Sequence, residues 1–232
     1  MEQRPTKTVI LRKQLDEEKA REVFEDKKTD SFGGLLKRPN KDEIIITEIT
    51  FHYEVILVVQ IKYLANYFQK ATHTITVDQN VKEVILEGKT FPIKDKSRLV
   101  KVITRGRGNN KIELELDEHI FVEQEEESAF GIRGMEIKFP YDVAEQKQEQ
   151  NTQQILDSKV QVIEPGISIQ DAVNKLKEKI KSEINHSIRD LHEELQIIKV
   201  NKVYIPVYEA RLRGPDRKVA IMRLDSVLEK IF

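Results

Sequence analysis

Between residues 43 and 68 the chain reads EIIITEITFHYEVILVVQIKYLANYF, dense in β-branched and aromatic side chains and without Gly or Pro. That pattern predicts one long strand with a bend, or two strands in succession. THTITV follows, setting His73, Ile75 and Val77 against Thr72, Thr74 and Thr76, the two-residue period of a half-buried strand. Upstream, LDEEKAREVFEDKK places Leu15, Ala20, Val23 and Phe24 near helical spacing with acids in the first turn, which predicts a short helix. In the middle, RLVKVIT, the turn RGRGNN and KIELELDEHIFVE predict a β-hairpin, with Ile112, Leu114 and Leu116 on one face. EQEEES then reads as an acidic loop, and GIRGMEIKF as a further strand ended by Pro140.

The strongest helical pattern is GISIQDAVNKLKEKIKSEINHSIRDLHEELQ. Ser168 and Asp171 form a capping box, and Ile169, Val173, Leu176, Ile180, Ile184, Ile188, Leu191 and Leu195 recur every three or four residues. One long amphipathic helix is expected, its stripe covered by strands at KVNKVYIPVYEARL and KVAIMRLDSVLEKIF.

Two phrases recur. VDQNVKEVIL and LDSVLEKIF each carry an Asp (Asp78, Asp225) followed closely by a Val and, two residues after it, a Glu (Val81 and Glu83; Val227 and Glu229). Each is preceded by a strand with Tyr-Glu: Tyr53 and Glu54 in the first, Tyr208 and Glu209 in the second. A short carboxylate that bonds backbone N–H groups just downstream explains the Asp as a turn residue. The parallel between the halves gives the expected architecture: an α+β chain of two related helix-plus-antiparallel-sheet modules joined by a β-hairpin-rich middle segment. Its domains are an N-terminal module over 1–143, a Gln-rich linker or solvated helix over 144–157, and a C-terminal helix-on-sheet module over 158–232.

In the second copy, VYIPVYEARLRGPDRKVAIMRLDSVLEKI behind an amphipathic helix resembles the PepSY type of small α+β module and, more loosely, cystatin-like helix-on-sheet folds. The Tyr-rich strand, the polar turn and the LDSV ending carry the resemblance, although the Gly that often follows in PepSY modules is missing. It implies a non-catalytic module used in inhibition, ligand contact or assembly, with no site residue to carry over.

Composition narrows the function classes. Of 232 residues, 39% are apolar and 34% charged, with a net charge of -1, so there is no global basic footprint for nucleic acid or anionic membrane. The longest strictly aliphatic run, Val55 to Val59, is far too short to span a bilayer, and no export signal opens the chain, so a cytoplasmic location is expected. Zero Cys excludes disulfides, thiolate catalysis and cysteine zinc sites. The lack of Cys and Trp with abundant Lys and Glu fits a heat-adapted protein as well as a mesophilic one.

The chemistry-bearing candidates are few. The loop Thr104 to Lys111 combines Gly106 and Gly108 with Arg105, Arg107, Asn109 and Lys111, a set suited to phosphate contact; a hairpin turn is the plainer reading. Arg211, Arg213, Arg217 and Lys218 form a second basic set in the last hairpin, and together the two sets would make a nucleic-acid or phosphate surface if they shared a face. Among the 5 histidines, His186 and His192 sit on opposite sides of the expected helix. His52 and His73 could meet across neighbouring strands, with Glu54 beside His52. Neither arrangement makes a metal site the expectation. No nucleophile elbow, dinucleotide fingerprint or kinase signature is present, so no catalytic residue, metal or cofactor is expected. The leading expectation is a non-enzymatic interaction or assembly module, binding a protein partner or a second copy of itself. A nucleic-acid-associated protein using the Arg-rich turns stands second, and an enzyme working through carboxylates such as Glu54, Asp78 and Glu209 third.

Overall fold

The structure, a computed structural model, describes residues 6–32, 39–94, 109–143, 148, 155, 158–182 and 188–232. In chain order they form β1 (Lys7–Ile10), α1 (Glu17–Lys27), β2 (Ile45–Val77), β3 (Glu83–Leu86), β4 (Lys89–Pro92), β5 (Asn110–Phe130), β6 (Glu136–Ile137), β7 (Gln161–Ile163), α2 (Ile169–Lys181), β8 (Ile188–Arg213), β9 (Val219–Asp225) and β10 (Lys230–Ile231). The main sheet has the order β10-β9-β8-β2-β5-β6, with β1 added parallel to β8 and β7 parallel to β2. β3 and β4 make a separate antiparallel ribbon.

The protein is therefore mainly β, which overturns the expected α+β architecture of two helix-plus-sheet modules. Three strands of 33, 21 and 26 residues dominate it, and α1 and α2, of 11 and 13 residues, are the α-helices among the described residues. The departure from the expected helix lies downstream of Ser168. The cap forms as expected, since Ser168 Oγ accepts from Asp171 N at 3.1 Å and donates to the Asp171 carboxylate at 2.6 Å. The helix nevertheless stops at Lys181, and Ile188, Leu191 and Leu195 belong to β8. Asp190 sits there at φ 51, and a left-handed residue inside a strand disturbs the strict two-residue alternation, so that Ile188 and Leu191 on either side of it stand three apart. Ile184 and His186 lie outside the described residues.

Other elements follow the sequence closely. Asp16 caps α1 by accepting from Lys19 N at 2.9 Å, and Ala20 and Phe24 are buried. The aromatic run and THTITV join in one continuous strand, β2. The acidic run from Glu123 to Glu127 is not a loop but part of β5, because its carboxylates find partners in facing elements. Glu125 accepts from Gln60 at 3.2 Å, Glu127 pairs with Lys199 at 2.8 Å, and Glu126 pairs with Lys179 of α2 at 2.5 Å. Of the expected middle hairpin, the arm before residue 109 lies outside the described residues, as does nearly all of the Gln-rich segment.

The chain makes two compact units, one of Met1–Lys62, Glu125–Lys181 and Leu195–Phe232, the other of Tyr63–Gln124 and Ser182–Glu194. In the first, the sheet buries both faces, and alternation decides which side chain goes where. Tyr208, Ala210 and Leu212 of β8 and Met222 and Leu224 of β9 face Leu15 and the α1 residues Ala20 and Phe24. The intervening positions of β8, Val203, Ile205 and Val207, face the other way and join Val9, Leu11, Ile56 and Val58, against which Phe139 and Tyr141 pack.

In the second unit Tyr63, Ala65, Tyr67, Ile112 and Leu114 are buried, and polar cross-strand pairs add to that core. Tyr63 donates to Glu193 at 3.0 Å, Gln69 and His73 both reach Glu118, and Arg189 pairs with Asp117 at 2.8 Å. His119 stacks on Phe68 with ring centroids 4.4 Å apart.

Candidate functional site

Both repeated aspartates hold turns. Asp78 accepts from Asn80 N at 2.8 Å, and Asp225 Oδ1 accepts from Val227 N at 2.8 Å and Leu228 N at 3.0 Å. Only the second turn closes a hairpin, β9 to β10; after Asp78 the chain enters β3, which pairs with β4. Asp225 does more than its counterpart, because its other oxygen, Oδ2, accepts from the Tyr141 hydroxyl and the residue is buried. We expect Asp225→Ala to cost about 2 to 4 kcal/mol, through three lost bonds and a stranded phenol, and Asp78→Ala, which is exposed, about 1 kcal/mol or less. Urea unfolding of the two variants checks the difference.

Asp225 sits in a cleft of 970 Å³ on the second sheet face of the first unit, the face opposite α1. Its floor comes from β2, β8 and β9, where alternation turns Glu54, Ile56, Ile205, Val207, Glu209, Ile221 and Arg223 the same way. Its sides come from the segment Gly131 to Tyr141 and from Leu228 to Phe232. The turn at residues 131–135 is held by a close approach of two glycines. A Cβ on Gly134, whose φ is 68, would stand 2.4 Å from the Gly166 carbonyl oxygen.

At the floor lies a partly buried charge cluster. The Arg223 guanidinium bonds Glu54 Oε1, and its Nε stands 3.8 Å from Glu209 Oε2. The same Glu54 oxygen is reached by His52 Nε2 at 3.1 Å. A carboxylate ion-paired to arginine only accepts, so this His52 nitrogen carries the hydrogen. Arg223 also lies over the Phe232 ring, 5.0 Å from Cζ to the centroid, a cation–π contact.

Burial sets the protonation states. It pulls the His52 pKa down; the Glu209 charge opposes that and Arg223 adds to it. Burial and the bond to Asp225 push the Tyr141 phenol far up, so Tyr141 stays a donor. Burial also lowers the Arg223 pKa, from a starting value so high that the guanidinium keeps its charge. For His52 the folded state holds the proton less tightly than the unfolded chain does. Its contribution to stability is therefore complete above the unfolded pKa of about 6.5 and is lost as pH falls through the lower folded value. We expect the midpoint of thermal unfolding to drop as pH falls below about 6.5, and His52→Gln to flatten that slope.

Arg105 and Arg107 lie outside the described residues, while Asn109 and Lys111 are exposed at the start of β5 in the second unit. Arg211 and Arg213 end β8 and Arg217 sits in a short turn at φ 59, all exposed in the first unit; Arg211 is 3.7 Å from Glu48. His52 and His73 do not meet. They occupy one strand, β2, and each takes its own carboxylate, Glu54 or Glu118. Among the described residues no group of three potential ligands is arranged for a metal ion.

Of the three carboxylates singled out in the sequence, Glu54 and Glu209 come together on either side of Arg223, whereas Asp78 stays with its turn. In the sequence these two glutamates stood out only as members of the Tyr-Glu pairs and as candidates of the third-ranked reading. Arg223, Tyr141 and the apolar walls carried no signal of their own. Comparison with protein-family models, with curated proteins and with solved structures gives no match to this chain.

Proposed function

We propose that the protein is a non-catalytic interaction module of the cytosol whose binding surface is the cleft on the β2-β8-β9 face. What carries this reading is the apolar surface presented to solvent: Met135, Ile221 and Phe232 are 57%, 54% and 61% exposed, and all three line the cleft. Exposed large apolar side chains gathered round one concavity mark a site that gains by being covered.

The ionised groups beneath argue for binding rather than turnover. Glu54 is engaged by Arg223 and His52, and Asp225 by Val227, Leu228 and Tyr141. Neither is left poised to take a proton from a substrate. Among the described residues no helix is long and apolar enough to cross a membrane.

Nile red, a neutral apolar dye, tests the surface. We expect saturable fluorescence enhancement with the protein and its loss in Ile221→Glu, which places a charge in the wall at an exposed position and leaves thermal stability nearly unchanged. No enhancement, or an unchanged response in Ile221→Glu, removes the cleft from consideration. The reading based on the Arg-rich turns makes a separate demand, oligonucleotide binding that weakens steeply with salt.

A further inference from the structure

Not all charges around the cleft are used. Glu54, Glu209 and Asp225 turn inward and are met by Arg223 or by the Asp225 turn and Tyr141. Arg133, Lys138 and Lys230 line the same cleft, are exposed, and have no ion pair or side-chain hydrogen bond among the described residues. They stand on three pieces of the border: the turn before β6, the residue after β6, and the first residue of β10. The cleft thus offers an apolar interior whose acids are already engaged and an edge whose cations are not.

We propose that the cleft binds a free amphiphilic anion: an aliphatic chain on the apolar walls, with a carboxylate or similar anionic head at Arg133, Lys138 and Lys230. This rests on the cleft being the binding surface. Three features support the chemistry. A volume of 970 Å³ falls at the upper end of the roughly 300 to 1,000 Å³ of small-molecule sites. Met135, Ile137, Ile221 and Ile231, all exposed, give the cleft an unbranched and aliphatic surface that a methylene chain can cover. Charge complementarity selects the sign of the head, since the lining carries Arg133, Lys138, Arg223 and Lys230 against Glu54, Glu209 and Asp225, and the exposed members at the edge are the cations.

Three probes of equal chain length separate these contributions: dodecanoate, dodecan-1-ol and dodecyltrimethylammonium, each below its micellar concentration, titrated calorimetrically at pH 8 into the intact protein. Dodecanoate should bind about tenfold more tightly than the alcohol, with the cation weakest and the preference shrinking in high salt. The triple variant Arg133→Gln, Lys138→Gln, Lys230→Gln should bring dodecanoate down to the alcohol and leave the alcohol unchanged. All three changes are at exposed sites, and an unaltered melting temperature shows that folding is not the cause.

Equal binding of acid and alcohol, or a preference that survives the triple variant, overturns the anion inference while leaving the cleft as an apolar site. If no probe binds, both readings fall. Binding to phosphatidylglycerol vesicles without binding of monomeric dodecanoate also overturns the proposal, because the anion would then be read on a membrane surface.

Discussion

Arg223→Met is expected to lower the unfolding free energy by about 3 to 5 kcal/mol, the scale for removing one partner from a buried ion pair. The arginine is the cation between Glu54 and Glu209, and Glu54 is only 8% exposed. Without it, one carboxylate stays buried beside a neutral histidine and another faces it across the space the guanidinium filled. Methionine keeps much of the volume, so packing contributes little to the loss. The discriminating variant is the double Arg223→Met, Glu54→Met, which removes both the charge and its stranded partner. It should be more stable than Arg223→Met alone, whereas independent sites would give additive losses. Guanidinium unfolding of the single and double variants measures this coupling directly.

Gly134→Ala is the second large effect, expected at about 2 to 5 kcal/mol. A side chain at φ 68 costs about 1 to 2 kcal/mol by itself. The new methyl would also meet the Gly166 carbonyl, which is backbone and cannot rotate away, and overpacking of that kind adds about 1 to 3 kcal/mol. Gly166→Ala meets the same obstacle from the other side, with a Cβ 2.6 Å from the Ile132 carbonyl oxygen. A third contact crosses here: Lys175 of α2 donates to the Gly134 carbonyl at 3.1 Å. Since this turn forms one side of the cleft, Gly134→Ala should weaken Nile red binding as well as folding.

What the sequence made legible was local. The short helix α1 with acids in its first turn, the cap of α2 at Ser168, the strand through Tyr53 and the turns at Asp78 and Asp225 each depend on residues within a few positions, and each can be read from side-chain chemistry. The region after Lys181 depends instead on distant partners. Ile188, Leu191 and Leu195 fit a helical stripe, yet they enter a strand because β2, their neighbour in the sheet, offers hydrogen bonds that an isolated segment does not reveal. For the same reason the acids at 123–127 looked like a solvated loop until Lys179 and Lys199 were placed against them.

The cleft was half legible. Glu54 and Glu209 were named as carboxylates, but the pairing of Glu54 with Arg223 spans most of the chain and depends on β2 and β9 flanking β8 in the sheet. The Arg-rich turns show the converse: local composition singled them out, and Arg211, the member with an acidic neighbour, is matched by Glu48 of β2. Their Gly-Asn chemistry also has a structural use, since Asn110 donates to the carbonyls of Gln79 and Val81, each at 3.1 Å.

The central claim, that the cleft is where this protein makes contact, is tested most directly by amide chemical-shift mapping of the labelled protein with Nile red. Shifts concentrated in residues 131–141 and 221–232, with the α1 face and β3-β4 ribbon silent, are the predicted result. Shifts centred on the ribbon, on the α1 face or on the Arg211 to Arg217 turn, with the cleft silent, would contradict it.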